Sequence, residues 1–147
     1  MKQLFGNFAH NSALKFYGVL FAVAFGLNWI WENGQMFAYR AEANGSPLTS
    51  FLFCTLAAVG DAVVTTGIYG FLKLLIEPGG AKFYLSAAAS GAACAVGFEW
   101  LAFRFDLWSY GEQMIVLPIL GVGLLPFVQL ALLVPAAIWL ARKSRNF

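Results

Sequence analysis

The sequence predicts an all-α integral membrane protein, a four-helix up-down bundle formed by one transmembrane domain, residues 1–147. Of these 147 residues, 61% are hydrophobic and only 11% are charged, whereas soluble domains average about 45–50% apolar and about 25% charged residues. The chain also holds four apolar stretches of about 20 residues, the length that crosses a hydrocarbon core. We therefore expect no separate soluble domain.

The four predicted spans are separated by polar turns. The spans cover residues 15–38, 49–75, 83–104 and 113–141. The turns read "RAEANGSP" (40–47), "EPGGAK" (77–82) and "RFDLWSYGEQ" (104–113). Such short connections predict that consecutive helices are antiparallel neighbours, and helices are expected in lipid because each satisfies its own backbone hydrogen bonds.

Lysine and arginine are concentrated at the two termini and in the second turn: Lys2, Lys15, Lys73, Lys82, Arg142, Lys143 and Arg145. The positive-inside rule therefore predicts that both termini are cytoplasmic, and we expect a multi-pass protein of the bacterial plasma membrane. The net charge of +2 is small, so the sequence predicts no nucleic-acid partner.

Three carboxyl side chains lie inside the predicted spans. At 1.5 Å per residue, Glu32 lies about 25 Å above Lys15, and Glu99 lies about 24 Å along the third span, so both are near the outer surface. Asp61 lies about 18 Å down the second span, near the midplane. Because a charge at the bilayer centre costs about 2.5–3.5 kcal/mol, intramembrane carboxyls are functional candidates. Glu32, Asp61 and Glu99 are therefore the predicted catalytic residues of a pocket in the outer half of the bilayer.

A set of neighbouring residues is predicted to bind a ligand in this pocket. Asn28, Trp31 and Gln35 share one helical stripe with Glu32. Tyr69 is placed on the helix face of Asp61, and Arg104, one turn beyond Glu99, is close enough to fold back towards either glutamate. The full set is Asn28, Trp31, Gln35, Tyr69, Arg104, Trp108, Gly121 and Gln129.

The third and fourth spans carry small and helix-breaking residues. The run "SAAASGAACAVG" (86–97) lets backbones approach closely, either for packing or to leave space for a substrate. In "LPILGVGLLPFVQL" (117–130), the glycines and prolines are expected to bend or unwind the fourth span: Pro118, Gly121, Gly123 and Pro126. That distortion would be a tolerated kink or a break that exposes carbonyl groups beside the site.

The polar features also have plainer interpretations. The tryptophans and Tyr110 are typical of an aromatic belt at the membrane interface. Glu32 and Glu99 are placed to form structural ion pairs with Arg104 or Arg40, and Asp61 could serve only as a structural hydrogen-bonding group. The sequence leaves these alternatives open.

The sequence predicts no cofactor and no metal. Cys54 and Cys94 lie in apolar runs, where a thiol behaves as a small hydrophobe, and the single histidine, His10, lies in the polar N-terminus. No DxD or ExxE pair anchors a hard cation. Carboxyls among amides and aromatic rings instead suit proton donation to an alkene, with the rings stabilising the resulting cation, or a proton relay during transport.

Two segments resemble membrane enzymes that act on isoprenoids. "LNWIWENGQMFAY" resembles the "N-x-x-W-E" segment of membrane-integral terpene cyclases of the fungal meroterpenoid type. "RFDLWSY" followed by "LPILGVGLLP" is similar to the "W-x-Y … G … L-P" region of membrane lycopene cyclases. The resemblance implies protonation of an isoprenoid olefin, with Glu32 as proton donor and Trp31 as a cation-facing ring. The chain has fewer spans than the terpene cyclases, and Phe127, Val128 and Gln129 follow Pro126 where the lycopene cyclases have paired acids. In size and span number it is also similar to small four-span bacterial membrane proteins.

Three functional hypotheses follow. The first is binding of, and acid–base chemistry on, a membrane lipid or another hydrophobic, isoprenoid-like molecule, which a closed pocket open sideways to lipid would favour. The second is a proton- or ion-coupled transporter, expected to work as a homo-oligomer because four spans enclose little volume; a two-sided pathway would favour it. The third is a non-catalytic accessory protein, favoured if the glutamates point outward or pair with Arg104.

Overall fold

The computed structural model of the chain describes residues 2–39 and 47–144, with side chains from residue 12 onward. The described chain forms four long helices: α1 (Lys2–Gln35), α2 (Pro47–Leu75), α3 (Ala81–Arg104) and α4 (Leu124–Ser144), with a short 3-10 helix (Met36–Ala38) after α1. Each contains a segment that is long and apolar enough to cross a membrane: Ser12–Ala38, Pro47–Leu75, Ala81–Arg104 and Leu124–Ser144. This confirms the predicted all-α class and the four membrane-spanning helices.

The outer surface of the four helices is strongly apolar. Leu56, Leu74 and Leu85 are each about two-thirds or more exposed, at 68%, 76% and 70%. A soluble monomer rarely exposes large contiguous apolar patches, so lipid is the solvent that this surface requires.

The interior of the bundle is packed with small and branched side chains. Leu20, Ala62, Val134 and Ile138, from α1, α2 and α4, are fully buried in one core. Helices α3 and α4 approach closely at Gly91, where a Cβ atom would overlap the carbonyl group of Leu130. Glycine is therefore required at this helix crossing.

Two cavities along the described part of the bundle bear on function. A groove of about 480 Å³ between α2 and α3 is lined by Val64, Gly67, Ile68, Phe71, Ser90, Ala93 and Cys94. A second cavity of about 620 Å³ lies where the first spanning turn of α1, the α2–α3 turn and the end of α4 meet. This basic cavity is lined by Phe16, Tyr69, Gly79, Tyr84, Trp139, Arg142 and Lys143.

The fourth helix begins at Leu124, later than the predicted start at residue 113. Residues 105–123 form an irregular connection in which Leu117 N donates to Val122 O and Leu124 N donates to Ile115 O, both at 2.8 Å. Pro118 has no amide hydrogen to donate to a helix, and Gly121 adopts a left-handed φ of 67°. The predicted bend in a continuous span is thus a folded connection that precedes the helix. Residues 40–46 of the predicted turn (40–47), with Arg40, lie outside the described residues.

Candidate functional site

A single glutamine, Gln129 of α4, joins polar side chains from three helices. It is 2% exposed, and its Nε2 atom lies 3.0 Å from Asn28 Oδ1, 2.8 Å from Glu32 Oε1 and 2.8 Å from Asp61 Oδ2. Its Oε1 atom accepts a hydrogen bond of 3.0 Å from Gln35 Nε2. We call these five residues, Asn28, Glu32, Gln35, Asp61 and Gln129, the Gln129 cluster.

Hydrogen bonds within α1 fix the orientation of the amide groups in this cluster. Asn28 Nδ2 donates to the carbonyl oxygen of Ala24, four residues earlier, at 2.9 Å, so that Asn28 Oδ1 faces Gln129. Trp31 Nε1 donates to Gln35 Oε1 at 2.9 Å, which turns Gln35 Nε2 towards Gln129. Because both neighbours are oriented, Gln129 must present its nitrogen to Asn28 and its oxygen to Gln35.

The amide nitrogen of Gln129 has fewer hydrogens than neighbouring acceptor oxygens. An amide nitrogen carries two hydrogens, but three oxygen atoms lie within 3.0 Å of Gln129 Nε2. The oxygens of Glu32 and Asp61 are each 2.8 Å from that nitrogen, so they are at most twice that distance apart. Both carboxyl side chains are only half-buried, so a further donor has access to them. The arrangement can accept one more hydrogen, from a bound proton or a ligand.

Glu99 belongs to a second cluster, formed with the connection before α4. Glu99 is 3% exposed, accepts a hydrogen bond from the Tyr110 hydroxyl and lies 3.5 Å from Trp108 Nε1. The backbone N–H of Gly123 donates to the Tyr110 oxygen. We call Tyr39, Glu99, Trp108 and Tyr110 the Glu99 cluster, because the Tyr39 ring packs against both Trp108 and Tyr110, with centroids 6.5 and 5.8 Å apart.

Tyr39 belongs to the Glu99 cluster and also lies close to the carboxyl groups of the Gln129 cluster. Burial raises the pKa of the Tyr39 phenol above its ordinary value, and the negative charges of Glu99 and Glu32 raise it further. Burial also raises the pKa of Tyr110, and its hydrogen bond to Glu99 acts in the same direction. Both phenols therefore remain hydrogen-bond donors over the whole physiological pH range.

The structure brings most of the sequence-predicted residues into these two clusters. Asn28, Glu32, Gln35, Asp61 and Gln129 form the first, and Trp31 contacts it through Gln35. Glu99 and Trp108 lie in the second. Among the residues that the structure describes, no three acidic, cysteine or histidine side chains converge as metal ligands would, so Glu99 does not join Glu32 and Asp61 in one tight group.

Three predicted ligand-binding residues lie outside both clusters. Tyr69 packs against Phe16 at the basic cavity, with ring centroids 4.8 Å apart, because eight residues of helix carry it about 12 Å from Asp61. Arg104 is exposed at the end of α3 and is not among the hydrogen-bond partners of either glutamate within the described chain. Gly121 is exposed in the connection before α4. These three residues lie apart from the two clusters, and their predicted role in ligand binding stays a prediction.

The sequence interpretation missed the role of Tyr110. It was grouped with the aromatic belt, yet its hydroxyl bridges the Glu99 carboxyl and the Gly123 amide. The relevant signal was the short aromatic segment "LWSY", 107–110, directly after the helix that carries Glu99.

Comparisons with protein-family models, with curated proteins and with solved structures find no match to this chain.

Proposed function

We propose that the protein binds a hydrophobic, lipid- or isoprenoid-like molecule and carries out acid–base chemistry on it with Glu32 and Asp61. The observation that carries the proposal is the shortage of donors at Gln129 Nε2, where two carboxyl oxygens and one amide oxygen share two hydrogens. A proton resident on one of the two carboxyls would complete the cluster, and that proton is the one that the chemistry needs. Glu32 is the proposed donor and Asp61 its partner.

The α2–α3 groove supports access from the lipid. Asp61, Val64 and Ile68 fall on one stripe of α2, and Val64 and Ile68 line the groove. Asp61 therefore lies at the continuation of that wall. On α3, Gly97 continues the stripe of Ser90 and Cys94, and a Cβ atom there would meet nothing within 4 Å. A hydrocarbon chain lying in the groove would have its end beside the half-buried Asp61.

The proposed reaction is protonation of a carbon–carbon double bond. The Glu32 carboxyl would give its proton to one alkene carbon. The π electron pair forms the new C–H bond as the carboxyl O–H bond breaks, which leaves a carbocation on the other carbon and a carboxylate on Glu32. Loss of a proton from a neighbouring carbon to a carboxylate would restore both the double bond and the acid. Trp31 and Tyr39 offer aromatic faces to stabilise the cation. The resemblance of the "NWIWE" segment to membrane-integral terpene cyclases agrees with this assignment.

A comparison of lipid extracts tests the proposal. Because addition and loss of one proton give an isomer of the same mass, cells expressing the wild-type chain should contain a lipid peak, resolved by liquid chromatography and detected by mass spectrometry, that cells with an empty vector lack. Glu32→Gln keeps the size of the side chain but removes its acidic proton, so its extract should match the empty vector. Glu112→Gln is the matched control, because Glu112 is an exposed glutamate in the connection before α4. Identical extracts from wild type and Glu32→Gln would overturn the proposal.

Proton- or ion-coupled transport is the second candidate. It is favoured by the same donor shortage, since two close carboxyls would also take up a proton or cation. Leu20, Ala62 and Val134 are fully buried in the interior beyond Asp61, but Thr65 and Tyr69 are buried there too and continue the helix face of Asp61 with polar groups. The groove between α2 and α3 is therefore the feature that favours the first candidate. Ion uptake into liposomes distinguishes the two: transport predicts slower uptake by Asp61→Asn, and equal rates would exclude it.

For orientation, we propose alternating up and down helices with both termini in the cytoplasm. The basic cavity brings the first spanning turn of α1, the α2–α3 turn and the end of α4 together at one end of the bundle. Lys73, Lys82, Arg142 and Lys143 lie near that end, and the positive-inside rule assigns it to the cytoplasm. The Gln129 cluster would then lie in the outer half of the bilayer. The bacterial plasma membrane stays a prediction.

A further inference from the structure

The basic cavity lies away from both carboxyl clusters and has the opposite charge. Arg142 and Lys143, from the last turn of α4, line it, and the structure gives neither a carboxylate partner among the described residues. The Lys143 ammonium lies 5.0 Å from the centre of the Trp139 ring. A third cation, Lys73, lies 5.9 Å from the ring of Tyr69, which also lines the cavity. Three cations therefore lie at or beside the cavity, and the structure records no ion pair between them and a carboxylate within the described residues.

The Arg142 guanidinium lies against the α2–α3 turn at the cavity wall. Gly79 has a φ of 111°, and a Cβ atom on it would lie 2.8 Å from Arg142 Nη2. Glycine suits this positive φ, and the missing side chain leaves room for the guanidinium. The two nearby aromatic side chains, Tyr84 and Trp139, give the remaining wall an apolar body with polar tips.

We propose that the basic cavity binds the phosphate head group of an anionic phospholipid. Its volume of about 620 Å³ is in the usual range for ligand sites, about 300–1,000 Å³. Trp139 is 50% exposed on the lipid-facing side of an apolar helix, and tryptophan beside a cation is typical of head-group depth. Basic pockets between membrane helices suit anionic head groups for the same electrostatic reason. The cavity would tie the ends of α2, α3 and α4 to one lipid, independently of any chemistry at Glu32.

Lipid titration of the purified full-length protein tests this inference. Native mass spectrometry in detergent would follow binding of phosphatidylglycerol, with phosphatidylcholine as the uncharged comparison. We expect wild type to prefer phosphatidylglycerol. Each cation near a head group contributes about fivefold in affinity, so Arg142→Gln/Lys143→Gln should bind phosphatidylglycerol about 30-fold more weakly. Lys143→Gln alone changes one exposed side chain and should lose about fivefold, which keeps the test decisive if the double variant does not fold.

The matched control removes the same charge at the same end of the bundle. Lys15→Gln/Lys82→Gln replaces two exposed lysines that do not line the cavity, and it should retain most of the wild-type affinity. Equal losses in the control and the cavity variants would overturn the proposal, because diffuse surface charge would then explain binding. Equal binding of the two lipids would also overturn it. Displacement of the lipid by millimolar inorganic phosphate would assign the cavity to free phosphate instead.

Discussion

Replacing Gln129 by leucine should destabilise the bundle by about 2–5 kcal/mol. The substitution keeps the side-chain volume but removes four polar contacts to α1 and α2. The two hydrogens of Gln129 Nε2 and the bond donated by Gln35 make three hydrogen bonds, and at about 0.6 kcal/mol each they contribute about 2 kcal/mol. The carboxyl groups of Glu32 and Asp61 also lose a hydrogen-bond donor. A buried polar group without its partner costs about 1–3 kcal/mol. Because Glu32 and Asp61 are only half-buried, the cost for each falls at the low end of that range.

Unfolding in mixed micelles of increasing dodecyl sulfate content, followed by tryptophan fluorescence, measures this loss. Gln113→Leu is the control, because Gln113 is an exposed glutamine in the connection before α4, and it should change stability little. If Gln129→Leu shifts the transition no further than Gln113→Leu, the Gln129 amide does not hold the cluster together, and the donor-shortage argument fails with it.

Three further perturbations probe the fold and the Glu99 cluster. Gly91→Ala should destabilise the protein by about 1–3 kcal/mol, because its methyl group would overlap the backbone carbonyl of Leu130. Tyr110→Phe should cost about 1–3 kcal/mol and speed amide exchange in the connection before α4, since the hydroxyl bond to Glu99 is lost. Stability should fall as pH rises above about 10, the ordinary tyrosine pKa. The pKa values of Tyr39 and Tyr110 are raised in the folded state, so above about pH 10 the unfolded chain loses its tyrosine protons first. The unfolded state then binds fewer protons than the folded state, and rising pH favours unfolding.

Each of these predictions has a control and a contradicting result. Gly67→Ala adds a methyl group that meets nothing within 4 Å, so the micelle assay should show no comparable loss; equal effects at the two glycines would contradict the crossing at Gly91. Tyr84→Phe should leave exchange before α4 unchanged. For the pH prediction, chemical unfolding between pH 8 and pH 11 should give a flatter profile for Tyr39→Phe/Tyr110→Phe than for wild type, and identical profiles would refute the assignment.

The helices were largely predictable because lipid imposes simple rules on sequence. Apolar length alone fixes α2 and α3 to within two residues of Pro47–Leu75 and Ala81–Arg104. The start of α4 was not predictable from apolar length, since residues 113–123 are as apolar as a span. Backbone hydrogen bonds between residues such as Leu117 and Val122, which depend on φ and ψ angles, decide that this segment is a connection.

The sequence predicts which candidate residues share a face within one helix, but it predicts contacts between residues of different helices much less well. Helical spacing placed Asn28 and Gln35 on the stripe of Glu32, and the structure joins them through Gln129. Nothing in the sequence gives the rotation of α4 about its axis, so the central position of Gln129 could not be deduced. For Glu99, a charge argument favoured Arg104 as partner, whereas the chain before α4 folds back and supplies Tyr110.

The central claim is that Glu32 and Asp61 give a proton to a hydrophobic molecule. Transfer of deuterium from solvent to lipid is its most direct test. Membranes containing the wild-type chain would be incubated in D2O, and their lipids extracted and examined for deuterium bound to carbon. The claim predicts a lipid one mass unit heavier with wild type, the same product with Glu112→Gln, and none with Glu32→Gln or Asp61→Asn. Equal deuterium in the lipids of wild type, both variants and membranes without the protein would contradict it.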